Sequence, residues 1–117
     1  MHATYKPLTL GEFIAALEAL GDQAQVRGLL GDIRSYRGYY ERNALTPSEF
    51  VHHADFLADL YRRQEGDDIR GWKGGDFKVS LDEQVYYADI GETGPQIAGF
   101  QLADDGVYEL ILVEEVW

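Results

Sequence analysis

Two short segments hold the side chains best suited to chemistry. The first, Gly31-Asp-Ile-Arg-Ser-Tyr-Arg-Gly-Tyr-Tyr40, sets two arginines and three tyrosines beside two glycines. Arginine donates in a planar fork that matches phosphate or carboxylate. Tyrosine offers a stacking face and a hydroxyl, and glycine lets the backbone approach a ligand closely. The second, Gly71-Trp-Lys-Gly-Gly-Asp-Phe77, flanks a Gly-Gly turn with Trp72 and Phe77 and carries Lys73 and Asp76. With both segments at one sheet end, they predict a pocket for a small anionic, nucleotide-like ligand. Arg34, Arg37 and Lys73 would hold phosphates, and Tyr36, Tyr39, Tyr40 and Trp72 would stack on a base. Ser35 and Asp76 complete the set. Neither segment is a phosphate-binding P-loop, because the Gly-x-x-x-x-Gly-Lys-Ser/Thr spacing is missing. The plainer alternatives are a tyrosine-rich strand packed on the core, with arginines tied to Asp32 and Glu41, and a hairpin anchored by Trp72. Gly91-Glu-Thr-Gly-Pro95 is a third loop, a rim or lid for the pocket or simply a turn.

Other chemistries find less support. The chain has no cysteine, which removes disulfides, thiolate catalysis and Cys-based zinc sites. Ser35, Ser48 and Ser80 are its serines, and none lies in Gly-x-Ser-x-Gly. His52 and His53 are adjacent, so on the helix expected there they diverge and cannot face one ion. Glu49 has helical spacing to either histidine, but no matching second pair exists. The expectation is a non-enzymatic protein without metal or cofactor.

The motifs Ser-Tyr-Arg-Gly-Tyr-Tyr (35–40) and Gly-Trp-Lys-Gly-Gly-Asp-Phe (71–77) resemble those of a group of small uncharacterised proteins of actinobacterial phages and their hosts. The likeness spans roughly residues 8 to 100 and includes Thr9-Leu-Gly-Glu-Phe13. It implies a phage accessory product, lends weight to the residues of those two motifs, and supplies no mechanism.

The elements that would position these residues read as follows. Thr9 and Glu12 form a capping box for a helix over about residues 10–20, with Leu10, Phe13, Ile14, Leu17 and Leu20 in one stripe. Residues 24–30 read as a strand weakened by Gly28, 31–38 as a loop, and 39–45 as a second strand. A second helix is expected from Thr46 as cap, with Pro47 at its first position and Glu49 completing the box. Its face is Phe50, Ala54, Leu57 and Tyr61, and Gly66 ends it. Strands follow at 69–73, 76–80, 84–88, 96–102 and 107–114. Asp104-Asp105-Gly106 turns the last two into a hairpin, and the final strand, apolar on both faces, belongs centrally in the sheet. The fold class is α+β, two helices packed on a mostly antiparallel β-sheet in the order α-β-β-α-β-β-β-β, with a further strand if both short segments around Gly74-Gly75 pair. One domain covers residues 1–117, with 1–7 loosely ordered.

The 117 residues include two Trp, eight Tyr and five Phe, enough for a core without staples. Net charge is −11, which excludes a generally basic nucleic-acid binder and disfavours an anionic lipid surface. The charge is unevenly spread. Residues 1–78 hold all ten basic and twelve acidic residues, a net of −2, while 79–117 hold nine acids and no base. A local cationic site is therefore allowed beside an acidic C-terminal part. Two function classes lead, and a small enzyme with an acid or base of perturbed pKa in the pocket is a third. One is sequestration of a nucleotide-like host signal. The other is an acidic protein-binding inhibitor or nucleic-acid mimic that blocks a host protein, its motif being Asp104, Asp105, Glu109, Glu114 and Glu115. Expected partners are thus a small ligand or a host protein, with no long nucleic acid and no membrane. The apolar end Val113, Val116 and Trp117 offers an edge for a second copy. No signal-like apolar run opens the chain and no stretch approaches 18 apolar residues, so a cytoplasmic location in a bacterial host is expected.

Overall fold

The computed structural model describes residues 6–36, 43–70, 76–89 and 92–114. Helix α1 (Leu10–Ala19) starts where its capping box places it. The Thr9 hydroxyl accepts from the Glu12 N–H at 3.2 Å, and the Glu12 carboxylate accepts from the Thr9 N–H at 2.9 Å. Such a cap contributes about 1 kcal/mol. Leu10, Phe13, Ile14 and Leu17 are fully buried, and each contributes about 1.5–3 kcal/mol. Packing therefore holds the helix, and the cap decides where it begins.

Strands β1 (Gln25–Ser35) and β2 (Asn43–His53) form a long antiparallel pair, from Gln25↔His53 to Ser35↔Asn43. This corrects two expectations. Residues 31–35 are strand and not loop, because β1 absorbs its glycines as bulges. Gly28 and Gly31 have φ of 108° and 102°, and the register shifts between Arg27 and Leu29 and again between Leu29 and Ile33. The second correction is the start of α2 (Ala54–Arg63). Thr46, Pro47 and Glu49 do not cap a helix; they lie in β2. Cross-strand pairing to β1 outweighs a local signal worth about 1 kcal/mol. Pro47, which has no N–H for a ladder, sits opposite Leu29 where the register breaks. Phe50, expected on the buried helical stripe, is 58% exposed. The helix instead begins with the Ala54 N–H bonded to the Ala24 carbonyl at 2.9 Å.

Ala54, Leu57, Ala58 and Tyr61 form the buried face of α2. Phe13 of α1 meets Tyr61 edge-to-face, with ring centroids 5.6 Å apart. After α2 come two short antiparallel strands, β3 (Asp68–Arg70) and β4 (Asp76–Lys78), which form a sheet of their own. The remaining strands are β5 (Val85–Tyr87), β6 (Gln96–Leu102) and β7 (Tyr108–Val113). They join β1 and β2 in a closed barrel ordered β1-β2-β5-β6-β7. The fold is thus α+β in the expected order, with both short segments around Gly74-Gly75 paired. Most pairings are antiparallel, while β2–β5 and β1–β7 are parallel.

The β6–β7 hairpin turns at Asp104-Asp105-Gly106, the Ala103 N–H donating to the Val107 carbonyl at 3.0 Å. β7 has a strand on each side, as expected of it, but its pairing to β1 is confined to Val26↔Tyr108. The main core joins α1 and α2 to the barrel through Val26, Leu29, Ile33, Leu45, Val85 and Ile97, with Val79 after β4 packed among them. A smaller cluster holds Tyr36, Ala44, Tyr86 and Ala88.

Candidate binding groove at the barrel seam

The predicted nucleotide pocket falls into three groups. Arg37, Tyr39, Tyr40, Trp72 and Lys73 lie outside the described residues. Ser35 closes the β1–β2 ladder against Asn43, and Asp76 opens β4 opposite Arg70. In chain order, 71–75 stands between β3 and β4, and 37–42 between β1 and β2. Arg34 and Tyr36 have their side chains placed. The Arg34 Nε–H reaches Asp32 at 2.8 Å and the Thr46 hydroxyl at 3.2 Å. That is the ion-paired arrangement weighed above as the plainer alternative.

Tyr36 is a correction. It does not present a face for a base: it is 4% exposed and stacked on Tyr86, with centroids 3.9 Å apart. Its hydroxyl donates to the Gly94 carbonyl at 3.4 Å and lies 3.3 Å from the Gly94 N–H, from which it accepts. Gly94, in the segment read as a rim, a lid or simply a turn, is thereby tied to Tyr36. A Cβ on Gly94 would stand 2.1 Å from the Tyr87 carbonyl oxygen, so only glycine permits this approach.

Four more cations among the described residues are ion-paired. Arg62 pairs with Glu18 at 2.7 Å, Arg63 with Asp59 at 2.5 Å, and Lys78 with Asp68 at 2.9 Å. Arg27 pairs with Asp105 and, at 3.2 Å, with Glu109. Asp105 holds its proton less tightly than an ordinary carboxyl, first through the Arg27 hydrogen bond and then through the Val107 N–H. Among the described residues no group of three His, Asp or Glu side chains could hold a metal ion.

The structure forms a groove elsewhere, at the seam between β1 and β7. The two strands meet at Val26↔Tyr108 and then part, because the bulges at Gly28 and Gly31 carry β1 away. The opening has a volume of about 470 Å³ and is lined by Arg27, Gly28, Ser48, Glu49, Tyr87, Glu109, Leu110 and Leu112. Tyr87 crosses from β5 and donates its hydroxyl to the Gly28 carbonyl at 2.6 Å. Its phenol is pushed up by burial, an effect that a Ser48 backbone contact partly offsets. A Cβ on Gly28 would stand 3.1 Å from that hydroxyl. Leu112, 41% exposed, supplies an apolar wall. On the far side of Arg27 a second hollow, about 560 Å³, is lined by Gln101 to Asp105 and Glu109.

Arg27 is the one base among the residues lining these two hollows, against Glu49, Asp104, Asp105 and Glu109. Their net charge of −3 favours a cation and repels an anion. Glu49 has no ion-pair partner among the described residues. Of the lining, Asp104, Asp105 and Glu109 belong to the acidic set that the sequence singles out; the groove itself is not legible there. Local spacing puts Glu49 on a helix, and Tyr87 and Leu112 read as ordinary strand residues. The signal that pointed toward the groove was Gly28, noted as a weakness in its strand. No family model, no curated protein and no solved structure matches the chain. No helix among the described residues is long and apolar enough to cross a membrane.

Proposed function

We propose that this chain works by binding, as an acidic protein-binding module that takes a basic segment of a partner protein. The observation that carries the reading is the seam groove. It combines an apolar wall of Leu110 and Leu112, the Tyr87 ring, and a rim whose carboxylates outnumber its single arginine. Such a rim speeds encounter with basic partners and rejects phosphates. As a phage accessory product, the role that the resemblance implies, the chain would act in the host cytoplasm and take a host protein as its target. The groove favours this second class of function over nucleotide sequestration. Of the residues that reading uses, Tyr36 is buried and stacked and Arg34 is paired, which counts against it, while Arg37, Tyr39, Tyr40, Trp72 and Lys73 lie outside the described residues.

The test compares Lys-rich, Glu-rich and neutral peptides of one length, alongside cyclic dinucleotides and ADP-ribose derivatives, by thermal shift and titration. The Lys-rich peptide is expected to bind and to weaken as salt rises. A shift with a nucleotide, and none with any peptide, returns the site to residues 34–40 and 71–77 and sinks the protein-binding reading.

A further inference from the structure

The β1–β7 seam has a second property besides its charge. Along an antiparallel pair, successive residues alternate between bonding to the partner and facing the other edge. The Ala103 N–H bonds the Val107 carbonyl, so Tyr108, Leu110 and Leu112 turn their N–H and C=O groups to the β1 side. Tyr108 uses that edge in its pairing with Val26. Beyond it the β1 ladder stops, and from Leu110 to Val113 the described residues give β7 a strand on its β6 side alone. The side chains of Leu110 and Leu112 share the inward face with Tyr108. Glu109 shares the outward face with Arg27, and Glu49 stands across the gap on β2.

We propose that this seam receives an extended segment of the partner as an added strand along β7. The segment's main chain bonds the Leu110–Leu112 edge. Its apolar side chains enter the groove against Leu110, Leu112 and Tyr87, and its alternate, basic side chains meet Glu109 and Glu49. The occupant is therefore a segment of alternating apolar and basic residues. Main-chain bonding supplies affinity and the two sets of side chains supply selectivity. Charge complementarity chooses this occupant, since the rim carries an excess of carboxylates and Glu49 has no ion-pair partner among the described residues. Arg27, bonded to Asp105 and Glu109 across the seam, holds the two strands in register at the point where they begin to part.

This inference rests on the protein-binding reading, and the experiment separates the two. A short alternating Lys–Val peptide is titrated into the full chain labelled with 15N. Parallel titrations use the same peptide with Glu in place of Lys, and with alternate backbone amides N-methylated in each of the two registers. The expected result is binding of the Lys–Val peptide, with amide shifts centred on residues 109–113. One N-methylated register should bind at least about tenfold more weakly, and the Glu peptide should not bind. Leu112→Asp, at an exposed position, and Glu49→Lys should each weaken binding while the circular dichroism spectrum stays unchanged. Equal binding of both N-methylated registers, or shifts centred elsewhere, overturns strand addition and leaves the protein-binding reading standing. No binding of the Lys–Val peptide, together with no binding of the Lys-rich peptide above, overturns both.

Discussion

Gln64 shows how much one side chain can decide. Where the bulges in β1 break its ladder to β2, backbone groups need partners from outside the sheet. Gln64, at the C-terminal cap of α2, supplies them. Its carbonyl oxygen accepts from the Ile33 N–H at 3.0 Å, and its amide donates to the Gly31 carbonyl at 2.9 Å and to Leu60 at 3.0 Å. Gln64→Leu keeps the bulk and removes these bonds, leaving two β1 groups unsatisfied. The expected cost is about 1–3 kcal/mol, read as a lower midpoint in urea with an unchanged slope. The sequence named Gly28 as odd but could not name Gln64, because the need it answers arises only when a distant strand breaks register. Tyr36 failed in the opposite way. Its composition suits a ligand site and a core equally, and only the stacking on Tyr86 distinguishes them.

At the scale of elements, the contrast between α1 and α2 is the instructive one. Both were expected from a capping box, and the box is real in α1 and absent in α2. Thr9→Ala should therefore cost about 1 kcal/mol, whereas Thr46→Ala should cost less, since Thr46 caps no helix and its hydroxyl accepts from the exposed Arg34. Chemical denaturation of the two variants side by side checks this. A cost at Thr46 as large as at Thr9 would contradict the β2 assignment. α1 and the β6–β7 hairpin were legible because their signals are local and agree with their tertiary neighbours. Residues 46–53 were not, because Phe50, Ala54, Leu57 and Tyr61 hold helical spacing across a boundary that β1 imposes. The same residues include Thr, Phe and Val, which suit a strand equally well. Long-range pairing broke the tie. It also extended β1 through residues that, taken alone, read as a loop.

The molecule as a whole couples its two helices to the barrel through Tyr61, and that ring makes a global prediction. Tyr61 is fully buried between α1, α2 and β1. Burial first, and then the charge of Asp32, pushes its phenol far above the ordinary value of 10; the nearby Gly31 backbone tempers this without completing a hydrogen bond. Burial pushes Tyr87 in the same direction. In the unfolded chain both phenols lose their protons near pH 10, while in the folded chain they keep them. The unfolded state therefore binds fewer protons as pH rises, and stability must fall. The stabilisation is whole below pH 10 and is lost as pH climbs from there toward the raised native values. Tyr61 alone contributes a slope of at most about 1.4 kcal/mol per pH unit. Because the Tyr61 hydroxyl has no hydrogen-bond partner, Tyr61→Phe should leave stability at neutral pH nearly unchanged, or raise it slightly. It should also flatten the alkaline decline. Unfolding free energies measured from pH 8 to 11 on both proteins decide the matter. Parallel curves for the two would mean that Tyr61 titrates in the fold as it does in the open chain, and that the joint between helices and barrel admits water.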